Sequence, residues 1–278
     1  MPEPTAPDRV PVHKTYKLFV GGRFPRSESG RTYQAQGANV PLASRKDLRD
    51  AVAAARAAQP GWAGATAYLR GQILYRAAEM LEGRRGELTA LGVRDAEVEQ
   101  AVDRWIWYAG WADKIAQVAG GANPVAGPYL NVSTPEPTGV VGVVAPAGTP
   151  LLGLVSVIAP AIVGGNTVVA LVDEAAPLPA ITLGETLATS DLPPGVVNLL
   201  TGRAAETAPW LAAHRDVNGL DLAGADPDQA VAWERAAADN LKRVLRPERA
   251  PVDWTADPGP RRMLAWLETK TVWHPRGL

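Results

Sequence analysis

The run from Gly139 to Val172 carries no charged residue, and nothing else in the chain limits the fold so strongly. Its length alone would suit a membrane span. Pro146, Pro150, Pro160 and the pair Gly164-Gly165 argue otherwise, because they cut the run into short pieces. Val140–Ala145 and Thr167–Leu171 are β-branched stretches that flank a helix-length apolar segment, Leu151–Val163. Strand, buried helix, strand is the resulting expectation. The alternation continues through a helix at Pro179–Thr189, a strand at Val196–Leu200, a helix at Ala204–Ala213, a strand at Val217–Leu222 and a long helix over Asp228–Leu245. Buried strands alternating with helices across short loops predict an α/β fold built on a doubly wound parallel sheet.

Upstream, Tyr16–Gly22 has strand propensity and ends in Gly-Gly, with Thr32–Gln36 as its expected hairpin partner. Ser44 and Asp47 make a capping-box-like start for a helix that Pro60-Gly61 should stop near Gln59. Helical periods follow over Ala67–Arg84 and Asp95–Val118, the second with Trp107 and Trp111 four residues apart, a spacing suited to core or interface packing. After Arg246 the chain turns to proline and charge. A short helix at Arg261–Glu268 and a strand at Lys270–Trp273 are predicted beyond it.

Composition excludes several classes of function. Lys plus Arg is 28 against Asp plus Glu 29, so the net charge of -1 supplies no field for nucleic acid or an acidic membrane surface. The chain has no cysteine, which removes disulfides, thiolate metal sites and any cysteine nucleophile. His13, His214 and His274 are scattered, no Gly-x-Ser-x-Gly elbow or Gly-x-x-x-x-Gly-Lys loop occurs, and no metal site is expected. Residues 1–15 hold prolines and no apolar core of a signal peptide, and a flexible arm on a cytoplasmic protein is the expectation.

The order of segments is specific. Thr138–Pro146 (TGVVGVVAP), Ala161–Val169 (AIVGGNTVV), Leu192–Asn198 (LPPGVVN) and Thr201-Gly202 resemble the nucleotide-binding domain of the aldehyde dehydrogenase superfamily. Leu18–Gly22 with Ser29-Gly30-Arg31, and Trp107–Lys114 (WYAGWADK), match its N-terminal half in order, and Trp266–Trp273 is similar to its C-terminal strand. The resemblance covers all but roughly Arg246–Pro260. It implies a Rossmann-like domain over 138–246, with the hairpin and helices of the nucleotide-type domain over 16–119 and an oligomerisation hairpin over 120–137. It also implies a linker in place of the catalytic domain over 247–260, and a C-terminal helix and oligomerisation strand over 261–278.

Departures from the family pattern carry the functional expectation. Family enzymes attack the aldehyde with a cysteine thiolate, and this chain has none. The oxyanion-donating Asn of the family's Pro-Trp-Asn-x-Pro turn is matched by Gly148 in Pro146–Pro150, and the ribose-binding lysine by Leu171. The Gly-Ser-Thr-x-x-Gly turn is matched by Gly224–Gln229, where Asp226 would cap the helix and meet phosphates with a carboxylate. Glu248 falls near the family's general base but in a different setting. No catalytic residue and no bound cofactor are therefore expected, NAD(P) being the only candidate. Pro146, Gly148, Leu171, Gly202, Gly224 and Asp226 would mark a vestigial site.

The resemblance also implies that the hairpin and the C-terminal strand form a small sheet that extends a neighbouring subunit. Tyr129, Leu130, Val132, Lys270, Val272 and Trp273 are its expected interface residues. The chain then resembles the cysteine-free second module of the bimodular sixteenth aldehyde dehydrogenase family. The leading expectation is a pseudo-enzyme subunit paired with a catalytic aldehyde dehydrogenase homologue, with a homodimer as the other assembly. An NAD(P)-dependent aldehyde oxidoreductase and a nucleotide- or metabolite-binding regulator are the competing functions.

Overall fold

The computed structural model describes residue 10 and residues 12–277. The expected flexible arm lies largely outside them. Within them, Lys14 is held by Glu87 and Glu185 at 2.7 and 2.8 Å.

The first hairpin differs from expectation. β1 (Thr32–Ala35) pairs with β2 (Ala38–Pro41), turning at Gln36 and Gly37, which both adopt positive φ. The Tyr16–Gly22 segment turns at Gly21-Gly22 as expected, but onto Arg23–Pro25, with Val20 and Arg23 exchanging main-chain hydrogen bonds at 2.9 and 3.0 Å. On its other side it pairs with Leu199: Phe19 N donates to that carbonyl at 3.1 Å and Leu199 N donates back at 2.7 Å. That segment seals a sheet edge that would otherwise be open, a tertiary advantage that no local hairpin signal reports.

Four helices and a one-turn partner follow: α1 (Arg45–Gly64), α2 (Ala67–Glu82), α3 (Arg85–Ala90), α4 (Asp95–Trp111) and α5 (Ile115–Ala119). Ser44 and Asp47 form the capping box at the start of α1. The helix runs past Pro60, which is exposed, because Trp62 beyond it is buried and its indole N–H donates to Ile162 O at 2.8 Å. The expected single helix over Asp95–Val118 breaks after Trp111. On α4 the fully buried aromatics are Trp105 and Tyr108, while Trp107 and Trp111 are half-buried with rings 5.5 Å apart.

From Gly121 the chain makes β3 (Gly121–Asn123), β4 (Tyr129–Pro137), β5 (Val140–Val144), α6 (Leu152–Val163), β6 (Thr167–Leu171), α7 (Leu178–Ala188), β7 (Val197–Leu200), α8 (Ala204–Ala213), β8 (Gly219–Asp221), α9 (Pro227–Ala238) and β9 (Arg243–Leu245). The main sheet is parallel throughout, in the order β7-β6-β5-β8-β9. Every residue of β5, α6 and β6 is buried, which is why the charge-free run carries no polar face. Burying each of the Leu, Ile and Val side chains of α6 contributes roughly 1.5–3 kcal/mol against leaving it exposed. Among the described residues no helix is long and apolar enough to cross a membrane.

The helix expected to reach Leu245 ends at Ala238. Leu241 turns in the left-handed region at φ 57°, and β9 then pairs with the free edge of β8. Past Arg246 the chain crosses the end of the sheet to α10 (Arg261–Leu264), a single turn where the sequence predicts a longer helix, and β10 (Leu267–Pro275). A second sheet has the order β10-β4-β3, all antiparallel, with Val272 opposite Val132 and Trp273 opposite Asn131.

Candidate functional site

Parallel α/β sheets place ligands outside the C-terminal ends of their strands, at the point where the strand order reverses. Here that point lies between β5 and β8, from which the chain proceeds outward on both sides. The six residues marked from the sequence gather there. Pro146 and Gly148 follow β5, Leu171 ends β6, Gly202 follows β7, and Gly224 and Asp226 follow β8. Topology therefore assembles four separate loops into one rim.

The local geometry at β8 is tight. Gly224 N donates to Val144 O at 2.9 Å, and a Cβ at Gly224 would stand 1.8 Å from Ala145 O, so only glycine fits. The next turn delivers Asp226 to the N-cap of α9, where its carboxylate accepts from Asp228 N at 3.0 Å. A helix N-terminus attracts anions, and this one already holds its own. Gly148, at φ 80°, offers only a main-chain N–H, which donates to Asp173 Oδ2 at 3.3 Å. Leu171 is buried in an apolar cluster with Val144, Leu200, Leu222 and Ala225, and presents no donor. Gly202 packs against Leu42 and Ala43 at φ 131°.

Glu248, the residue nearest the expected position of a base, is exposed and paired with Arg261 at 3.0 Å. The segment after Arg246 is tied down by contacts that sequence spacing does not announce. Arg104 Nη2 donates to Trp254 O and Ala256 O at 2.7 and 2.9 Å. Arg262 pairs with the fully buried Asp221. Burial works against the Arg262 charge, but the Asp221 carboxylate outweighs it and raises the guanidinium pKa. The only sequence signal for this pair was an acidic residue inside the apolar strand Val217–Leu222.

The expected interface residues lie on the second sheet. Tyr129, Leu130, Val272 and Trp273 are exposed, with the Tyr129 and Trp273 rings edge to face at 5.8 Å. Val132 is half-buried, and Lys270 reaches Glu136 at 3.1 Å.

A sequence profile of the aldehyde dehydrogenase family matches residues 30–246. The chain belongs to the aldehyde dehydrogenase family. It is 34% identical over 247 residues to Arabidopsis thaliana aldehyde dehydrogenase family 2 member B4, mitochondrial, a match covering 82% of this chain and 45% of that protein. It is 31% identical to Homo sapiens retinal dehydrogenase 2 over 88% of this chain and 50% of the relative. An aldehyde dehydrogenase from Bacillus cereus, solved as an NAD+ complex, superposes with a TM-score of 0.77 at 27% identity, over 83% of this chain and 50% of that one. HpcC from Thermus thermophilus gives the same TM-score at 32% identity, covering 83% of this chain and 47% of that one. The chain thus spans about half the length of the relatives it matches.

Proposed function

We propose that this family member is a non-catalytic subunit that docks onto a full-length, cysteine-containing aldehyde dehydrogenase. The observation that carries this reading is β10. It is a nine-residue strand, exposed from Glu268 to Pro275, at the open edge of a three-stranded sheet. Unpaired N–H and C=O groups along such an edge, beside exposed Tyr129, Val272 and Trp273, suit strand addition to another subunit. The absence of cysteine supports the inactive half of the proposal, since no thiohemiacetal can form.

The dinucleotide of the relatives does not fit the donor set at the rim. Leu171 offers hydrocarbon where a donor is needed, and Asp226 offers a carboxylate at the helix end that would face the phosphates. The chain on this reading keeps the nucleotide-type scaffold as a frame for the second sheet.

Co-expression with a cysteine-containing homologue, followed by size-exclusion chromatography with light scattering, tests the assembly. A mixed oligomer is expected, and it disappears when Lys270–Leu278 are deleted. A full-length chain that stays monomeric, while the homologue elutes as a complete oligomer without it, overturns the proposal.

A further inference from the structure

Beneath the crossing segment lies a cavity of about 170 Å³, walled by α4, α6, α10 and the stretch around Trp254. Arg104 and Tyr108 enter it from one face of α4, being four residues apart, and Ser156 enters from α6. Two of these side chains carry hydroxyls without a partner. Tyr108 is 0% exposed and Ser156 1% exposed, and neither Oη nor Oγ makes a hydrogen bond among the described residues. Leaving such groups unmatched costs stability, so a built cavity that gathers two of them is suited to a ligand that accepts or donates there.

The charge of the wall selects the ligand's sign. Arg104 is 7% exposed and forms no salt bridge among the described residues. Its Nη2 serves the Trp254 and Ala256 carbonyls, and among the described residues the Nε and Nη1 hydrogens of this five-donor guanidinium have no acceptor. The other buried cation of the wall, Arg262, is already neutralised by Asp221. Glu248, Asp253 and Asp257 belong to the same wall but are exposed and engaged: Glu248 pairs with Arg261 at 3.0 Å, Asp253 accepts from Thr255 N at 2.9 Å and Asp257 from Gly259 N at 3.0 Å. Buried charges are ordinarily paired, and Arg104 lacks a carboxylate of its own. Size and walls narrow the class further. A cavity of roughly 150 Å³ accommodates a benzene ring, and the ring of Trp254 offers an apolar side to this one.

We propose that this cavity binds a small monocarboxylate, no larger than a benzoate, whose anionic head takes the free hydrogens of Arg104 and the hydroxyls of Tyr108 and Ser156. Neither β10 nor the nucleotide rim takes part, so the site stands or falls independently of the assembly proposed above. Calorimetry and thermal melting of the full chain with sodium benzoate and sodium acetate, at matched ionic strength, test it, with benzamide as the neutral isostere. Saturable benzoate binding is expected, at least about tenfold tighter than benzamide, because charge-assisted bonds to the guanidinium require the anion. Arg104→Met should weaken benzoate about tenfold or more. Ser156→Val should raise the melting temperature of the ligand-free chain by removing an unmatched hydroxyl, while weakening benzoate. Equal affinity for benzoate and benzamide, or no saturable binding by either carboxylate, overturns the proposal. If Arg104→Met does not fold, unchanged benzoate affinity in Ser156→Val overturns it equally.

Discussion

Arg262 on α10 donates to the carboxylate of Asp221 at the end of β8, with Asp221 fully buried and the Arg262 side chain 16% exposed. The guanidinium also lies 5.5 Å from the Trp254 ring centroid. One ion pair thus fastens the segment after residue 246 to the sheet. Removing one partner leaves the other charged and buried. Asp221→Ala should lower unfolding free energy by roughly 3–5 kcal/mol. The double variant Asp221→Leu, Arg262→Met should recover most of that loss, because well-packed apolar replacements of a buried pair are often neutral. Urea unfolding of the three proteins checks this, and an additive double variant contradicts it.

The rim yields a second expectation. The parent chain should show no melting shift with NAD or NADP, and no aldehyde oxidation even as Gly148→Asn. Asp226→Thr keeps an N-cap while removing the carboxylate, and should change stability by less than about 1 kcal/mol. Combined with Leu171→Lys, it should create an NAD-dependent shift, about 2.7 kcal/mol of stabilisation at 100 times the dissociation constant. Micromolar NAD binding by the unmodified chain, measured by calorimetry, would show that the electrostatic reading of α9 is wrong.

Much of this rim was legible in the sequence. Strands buried on both faces read as unbroken Val-rich runs, and β5 and β6 stand where Val140 and Thr167 begin those runs. What stayed hidden was decided by partners distant in the chain. Phe19 pairs with the sequence-distant Leu199, beside the local turn of Val20 onto Arg23, and β9 exists because β8 offers an edge. The cavity was illegible for the same reason. Arg104, Ser156 and Trp254 have no common spacing, and only the packing of α4 on α6 and the return of the segment after Arg246 over them unite the three.

The exposed ribbon provides a third expectation. Trp273 is 57% exposed, so Trp273→Glu should cost the isolated chain no more than about 1.5 kcal/mol, chiefly the lost edge-to-face contact with Tyr129. It should nevertheless abolish the mixed oligomer, since buried tryptophans dominate interface energetics. Thermal melting and light scattering separate the two effects.

His214 gives a pH dependence. Burial holds its pKa below the ordinary imidazole value, and its Nδ1 accepts from Asp216 N at 3.2 Å, which requires the unprotonated nitrogen. The unfolded chain therefore binds more protons near the ordinary imidazole pKa, and stability rises with pH there. The contribution is complete above the unfolded pKa and is lost as pH falls through the lower folded value. His214→Asn should flatten the melting-temperature profile between about pH 7.5 and 5, roughly the window of imidazole titration.

An uncovered strand edge also makes abundance a matter of stoichiometry. A copy that meets its partner hides β10, whereas a surplus copy displays a ready template for edge-to-edge pairing with its own kind. On the subunit reading, soluble yield should follow the supply of partner and level off once that supply is matched, with the excess appearing as aggregate or falling to proteolysis. The ribbon would then act as a counter, keeping the two polypeptides in register without any regulator of synthesis.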